Sequence, residues 1–235
     1  MTGMLEKLII GFGTKWLEQK FLAQNNQPQK IISYDGKDQA LLTVKRKAGS
    51  ITTILGTRET GKSQLAFRLA EFYDRPVYAI SPQERPPRWI TRINLDQIET
   101  AIPENCTLIC DDLPSYASNR DYNDSLVRTL EHIIPMVRHE RQPPEFPVGR
   151  VHLIFCSQSA AQADKYILDT DLAFFKPLGL LYQDLERPAI KKIYNDIVMP
   201  EFIGHTDQWI QRHAYMLSRA WRGMIEYHMS EKLPR

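Results

Sequence analysis

Cysteine is scarce: the 235 residues hold three, Cys106, Cys110 and Cys156. An odd count, placement inside apolar runs and the lack of a CxxC pair argue against a disulfide scaffold or a cysteine zinc site, leaving reduced, buried small hydrophobes. Long apolar runs are missing too. None approaches the roughly 20 residues that span a bilayer, and no charged-then-apolar leader with a small-residue cleavage site opens the chain, so the expected setting is intracellular and soluble. A dominant charge is also absent, with 30 basic residues against 28 acidic ones. The remainder, 43% apolar and 25% charged, is the balance of a globular domain and excludes disorder, collagen and coiled-coil arrays.

The near-neutral total hides a split. Residues 1 to 48 carry 8 basic and 4 acidic groups, residues 49 to 185 carry 14 and 18, and residues 186 to 235 carry 8 and 6. The basic first segment, with Lys45, Arg46 and Lys47 in a row, suits a polyanion or an anionic membrane surface, although solvated surface lysines have the same signature. Within it, Leu5, Leu8, Ile9, Phe12 and Trp16 form the stripe of an amphipathic helix over residues 4 to 22, weakened by Gly11 and Gly13. That stripe needs an apolar partner, either this protein's own domain or a membrane or partner surface. Asp35-Gly36 between Ile31-Ile32 and Leu41-Leu42 is a short hairpin signal. The segment 1–48 is thus expected to be an N-terminal extension of helix and hairpin, ahead of a domain over 49–235.

From Ile51 the pattern becomes strand, glycine loop, helix, strand. Ile51 to Leu55 is a bounded β-branched run; Leu65, Ala66, Leu69, Ala70 and Tyr73 recur at helical spacing; Pro76 to Ile80 reads as a second buried strand. Further strands are expected at Thr107–Cys110, Val151–Cys156 and Leu172–Phe175, with helical stripes between them. Such alternation predicts an α/β fold with a mainly parallel sheet flanked by helices. A helix over about Asp124 to Arg138, kinked at Pro135, would deliver Arg138 and Arg141 at its end. The proline-rich stretches 82–87 and 143–147 read as loops. A helix near Pro188–Ile197 and a closing hairpin, Tyr215–Leu217 and Met224–Tyr227 around Trp221-Arg222-Gly223, finish the chain.

The loop after Leu55 reads Gly56-Thr57-Arg58-Glu59-Thr60-Gly61-Lys62-Ser63, then Gln64, and matches G-x-x-x-x-G-K-[ST] at every fixed position. Each fixed residue has a chemical reason. Glycines let the backbone wrap close to phosphates with amides turned inward, the helix start adds partial positive charge, Lys62 reaches the β- and γ-phosphates, and the Ser63 hydroxyl ligates Mg²⁺. Preceded by an apolar strand and followed by an amphipathic helix, the motif has the context of a nucleoside triphosphate site. An apolar strand ending in acid should complete it, and Leu108-Ile109-Cys110-Asp111-Asp112 supplies one. Asp111 is the expected carboxylate near Mg²⁺, and Asp112 stands where many ATPases carry a glutamate that orients water. A third strand, His152 to Cys156, ends in Ser157-Gln158-Ser159. If it lies between the other two, Gln158 can sense the γ-phosphate; otherwise the serines serve as helix caps.

The ordered set GTRETGKS, LICDD, MVRHER and FCSQS resembles the FtsK/HerA branch of P-loop ATPases, and within it the genome-packaging ATPases of tailless, often membrane-containing, double-stranded DNA viruses. The resemblance spans roughly residues 50 to 229. It implies a RecA-like core, ATP and Mg²⁺ as cofactors, and a homo-oligomeric ring that moves duplex DNA through a pore at a capsid vertex or portal protein. The setting so implied is the host cytoplasm or the virion. It also implies an arginine acting in trans on the neighbouring protomer's phosphates: Arg138 matches, with Arg141 in reserve, though either can simply complement a helix C-terminus. Asp112 departs from the usual Asp-Glu pair. For DNA, Arg85, Arg88, Trp89 and Arg92 form a basic cluster with one aromatic, fit for a pore loop or equally for a subunit contact. Three other readings stay open: a nucleotide-dependent assembly protein docked at a membrane or vertex through residues 1–48, a cellular or plasmid-borne DNA pump, and a small-molecule kinase. The kinase would need lid arginines, whereas residues 160 to 190 hold only Lys165, Lys176 and Arg187 as basic groups.

Overall fold

Strand β2 (Ser50–Leu55) is buried along its whole length, as a strand covered on both faces must be, and its Ile, Thr and Leu content suits a pleated interior position. In the computed structural model, which describes residues 32–34, 39–80, 87–94, 97–111, 133–140, 149–158, 170–179, 186, 188–219 and 221–228, β2 lies at the middle of a nine-stranded sheet. The order is β1-β9-β8-β7-β2-β6-β5-β3-β4. The strands are β1 (Ile32–Tyr34), β3 (Val77–Ile80), β4 (Ile90–Arg92), β5 (Thr107–Cys110), β6 (His152–Ser157), β7 (Leu172–Phe175), β8 (His213–Ser218) and β9 (Arg222–Tyr227). Strands β2 to β7 are mutually parallel, whereas β8 runs antiparallel to both β7 and β9. The carboxyl ends of β2, β5, β6 and β7 therefore share one edge.

Side-chain alternation divides the interior in two. Ile54, Ile109, Ile154, Phe174 and Met216 face helices α1 (Gln39–Lys45) and α2 (Lys62–Tyr73), which present Leu41, Val44, Leu65, Leu69 and Tyr73. On the opposite face, Ile51, Leu108 and Phe155 meet Ile98 and Ile102, from around α3 (Ile98–Ala101), and Val137. Farther along, Phe175, Tyr215 and Met224 meet Ile190, Ile193 and Tyr194. These last come from α4 (Pro188–Ile193) and the π-helical turn Tyr194–Val198 that prolongs it. Helices on both faces of a mainly parallel sheet are the expected α/β, RecA-like arrangement. The three cysteines are buried and free. Burial pushes the thiols of Cys106 and Cys110 up to about 12, so neither is a nucleophile at neutral pH.

One expected element is corrected. Ile32 does enter a strand, but β1 pairs parallel with β9, Ile32 opposite Ile225, and Leu41-Leu42 lie in helix α1. No hairpin joins them. Gln, Ala and Leu are strong helix formers, and Ala40, Leu41 and Val44 fall on one buried face at steps of three and four, a period that overrides the turn signal. The helix expected at 4–22 and both proline-rich loops, apart from Pro87, lie outside the described residues. Of the helix expected to end near Arg138, the described part is a 3₁₀ turn, Ile134–Met136, around Pro135. The terminal hairpin is present as β8 and β9, with Met216 opposite Gly223.

Candidate nucleotide site

The loop between β2 and α2 has the backbone that its glycines permit. Gly56 and Gly61 have φ of 152° and 91°, and Glu59 adds a left-handed turn at 63°. Helix α2 starts at Lys62 with Gly61 as its N-cap, no side chain caps it, and no acidic residue occupies its first turn. Amides at a helix start point outward along the axis, and the helix dipole favours an anion there. Below it, Leu65, Ala66, Leu69 and Ala70 anchor α2 in the core, fixing where those amides point.

Lys62 is buried and its Nζ donates to the Thr57 carbonyl at 2.6 Å, so the ammonium is held across the loop's own concavity. The Thr60 hydroxyl donates to the same carbonyl at 2.8 Å. Ser63 Oγ donates to Asp111 Oδ2 at 2.8 Å. This bond joins the start of α2 to the end of β5 and brings a hydroxyl and a carboxylate together at the mouth of the loop. Both are hard oxygen donors, the chemistry Mg²⁺ selects, and a cation that keeps most of its waters needs few protein ligands. Among the described residues no group of three His, Cys, Asp or Glu could hold a metal.

Strand β6 lies between β2 and β5, the condition under which its tip faces the phosphates. Gln158 is buried just past that tip, and the Ser157 carbonyl accepts the Gly56 amide at 3.2 Å, tying the loop's first residue to the strand. On the other flank, the Pro177 carbonyl accepts both the Thr57 amide, at 3.1 Å, and the Thr57 hydroxyl, at 3.2 Å.

The remaining expected site residues fall elsewhere. Asp112, Arg141 and Arg85 lie outside the described residues. Arg138 does not approach the loop of its own protomer: it donates to both carboxylate oxygens of Asp171 at 3.0 Å, at the amino-terminal edge of the sheet opposite the loop. Asp171 also accepts Lys47 Nζ at 2.6 Å and the Ile51 amide at 2.9 Å. Burial alone would raise its pKa; the Lys47 ammonium, the Ile51 amide and Arg138 outweigh that and hold the carboxyl below its usual range. Arg88 and Arg92 are exposed near edge strand β4, but Trp89 is half-buried, edge-on to Phe67 with ring centroids 6.4 Å apart, so its ring packs on the core and is not free to stack on a base. The sequence reading missed Lys176, Gln211 and Tyr227, which all reach the loop. A lysine closing the apolar run Leu172–Phe175 was the one available signal.

No family model matches the chain, and no curated protein does. Solved structures do. The genome packaging NTPase B204 from Sulfolobus turreted icosahedral virus 2, in complex with sulfate, aligns over 79% of this chain and 100% of its own with a TM-score of 0.52 at 9% identity. The chain has the fold of that packaging NTPase. The same NTPase in complex with AMPPCP aligns over 78% of this chain and 100% of its own, with a TM-score of 0.48 and 10% identity. EccC from Thermomonospora curvata matches at 13% identity over 77% of this chain and 37% of its own, TM-score 0.42. At such identities the likeness concerns the arrangement of strands and helices; the chemistry is argued from the loop itself.

Proposed function

We propose that the chain is an ATPase that binds ATP with Mg²⁺ at the Gly56–Gln64 loop and, as a ring of identical subunits, uses hydrolysis to drive double-stranded DNA into a viral capsid at its vertex or portal. The observation that carries the nucleotide reading is the 2.8 Å bond between Ser63 and Asp111, which unites the two halves of a phosphate-and-metal motif 48 residues apart. The packaging reading draws its support from the motif set and from the fold shared with a genome packaging NTPase.

On this reading the loop amides and the first turn of α2 hold the triphosphate, and Lys62 leaves the Thr57 carbonyl to neutralise the β- and γ-phosphate oxygens. Ser63 and Asp111 are the residues that would hold Mg²⁺, whose charge offsets that developing on the phosphates. Asp112 orients the attacking water. Gln158, joined to the loop through the Ser157 carbonyl, senses whether a γ-phosphate is there. An arginine from the neighbouring protomer completes the site; for Arg138 to serve, it must exchange Asp171 for phosphate. Catalysis is positioning and charge stabilisation, with no covalent intermediate.

The test is ATP hydrolysis by the full chain with and without duplex DNA. Wild type should hydrolyse ATP faster when DNA is added, Lys62→Ala should abolish turnover, and Asp112→Asn should slow hydrolysis more than binding. Failure to bind MgATP would sink the nucleotide reading. Indifference to DNA would sink the motor reading alone, and full activity in Arg138→Ala would remove Arg138 from the catalytic set.

A further inference from the structure

The end of the chain meets the phosphate loop from behind. Helix α5 (Asp207–Arg212) is capped by Thr206, and a continuous ring stack stiffens it: Trp209 lies between His205 and His213 at centroid distances of 3.6 and 3.7 Å. Its last turn is pressed against the loop so closely that a Cβ on Gly61 would sit 2.6 Å from the Gln211 carbonyl oxygen. The Tyr227 hydroxyl, at the end of β9, lies 2.5 Å from the Gln211 carbonyl and 3.1 Å from the Gly61 carbonyl, bridging helix and loop. Gln211 Nε2 reaches the Glu59 carbonyl at 3.4 Å.

Such an approach poses an electrostatic problem. The carboxyl end of a helix carries partial negative charge, and here it stands directly behind a loop suited to an anion. Lys176 answers it. Its side chain is wholly buried, and Nζ donates to the carbonyls of Ile210 at 2.7 Å, Gln211 at 3.4 Å and His213, while lying 4.8 Å from the Tyr227 ring centroid. The three carbonyls match the three N–H donors of an ammonium, while burial, with Lys62 adding to it, pulls the lysine's pKa well below its ordinary value. At its other end Lys176 is locked to the loop: its amide donates to the Leu55 carbonyl at 2.7 Å, and a Cβ on Gly56 would lie 2.4 Å from its own Cβ. Gly61 thus makes room for the terminal unit and Gly56 for Lys176, independently of any phosphate.

We propose that Lys176 and Tyr227 are positioning residues that couple the phosphate loop to the α5–β8–β9 unit, so that nucleotide binding and the order of that unit rise and fall together. Lys176 occupies the carbonyls at the end of α5 with its N–H donors, and Tyr227 sets the height of Gly61. The inference rests on the nucleotide reading given above and extends it to elements outside the motif.

The experiment is calorimetric titration of the full chain with MgATP, together with steady-state kinetics and amide hydrogen exchange over residues 209–213, for wild type, Lys176→Met and Tyr227→Phe. Tyr227→Phe removes one hydroxyl and should leave the fold intact even if Lys176→Met does not fold. The expected result is about a tenfold weaker affinity in Tyr227→Phe, the scale of one buried hydrogen bond. KM should rise in step with kcat unchanged, and the slowing of exchange that MgATP produces in wild type should be lost. A wild type that does not bind MgATP overturns the function itself and this inference with it. A wild type that binds, alongside Tyr227→Phe or folded Lys176→Met binding equally well, overturns this inference alone, as does exchange over 209–213 that ignores MgATP in wild type.

Discussion

At the scale of single residues, two buried groups set measurable limits. Gly56 has a φ that side chains rarely adopt and no space for a methyl group against Lys176. Gly56→Ala should therefore destabilise the fold by about 1–3 kcal/mol from overpacking, read as a lower urea midpoint. His152 is buried, stacked on Tyr73 at 4.2 Å, and shares a 2.6 Å hydrogen bond with the Ser50 hydroxyl through Nδ1. Burial, with Arg75 nearby adding to it and Asp171 opposing, lowers its pKa from 6.5 to about 3. Because the folded pKa lies below the unfolded one, the neutral ring's contribution is fully present above pH 6.5 and is lost as the pH falls toward 3, by up to about 1.4 kcal/mol per pH unit. Denaturant midpoints at pH 7, 5.5 and 4.5 should fall in that order, and His152→Leu should flatten the trend. The meeting of Lys62, Ser63 and Asp111 at one edge of the sheet was legible because each follows from a local string. Lys176 and Tyr227 were not, since what gives them meaning is a carbonyl supplied by a separate helix.

Elements were legible in proportion to their length and the strength of their period. The unit β2–α2–β3, the strands β5, β6 and β7 and the hairpin β8–β9 all follow from apolar runs bounded by turn residues. Among the described residues several short elements escaped, α3 with them. Strand β1 has three residues and finds its partner nearly 200 positions away; β4 has three as well; α1 and α5, of seven and six residues, are too short for a helical stripe to stand out in the sequence. The element with the clearest stripe should also be the most sensitive. Leu69 is fully buried in α2, and Leu69→Ala should cost about 2–5 kcal/mol by calorimetry or urea denaturation, with nucleotide affinity falling because the same helix aims the loop amides.

For the whole molecule, the division at residue 48 cuts through packed structure. Ala40, Leu41 and Val44 belong to the same core as α2, and Lys47 is bonded to Asp171. A truncation that starts after residue 48 should melt about 10 °C or more below one that starts after residue 31, given the cost of losing two or three buried side chains. Any test of residues 1–31 in membrane or vertex docking therefore has to spare the residues that follow.

The two margins of the sheet are the three-residue strands β1 and β4. Such stubs expose too little unpaired backbone for another chain to zip onto, which discourages fibrous self-association during folding. In the ring proposed above, copies of this protein would then recognise one another through side chains on helices and loops, where contacts can be made, broken and remade at every step of a cycle.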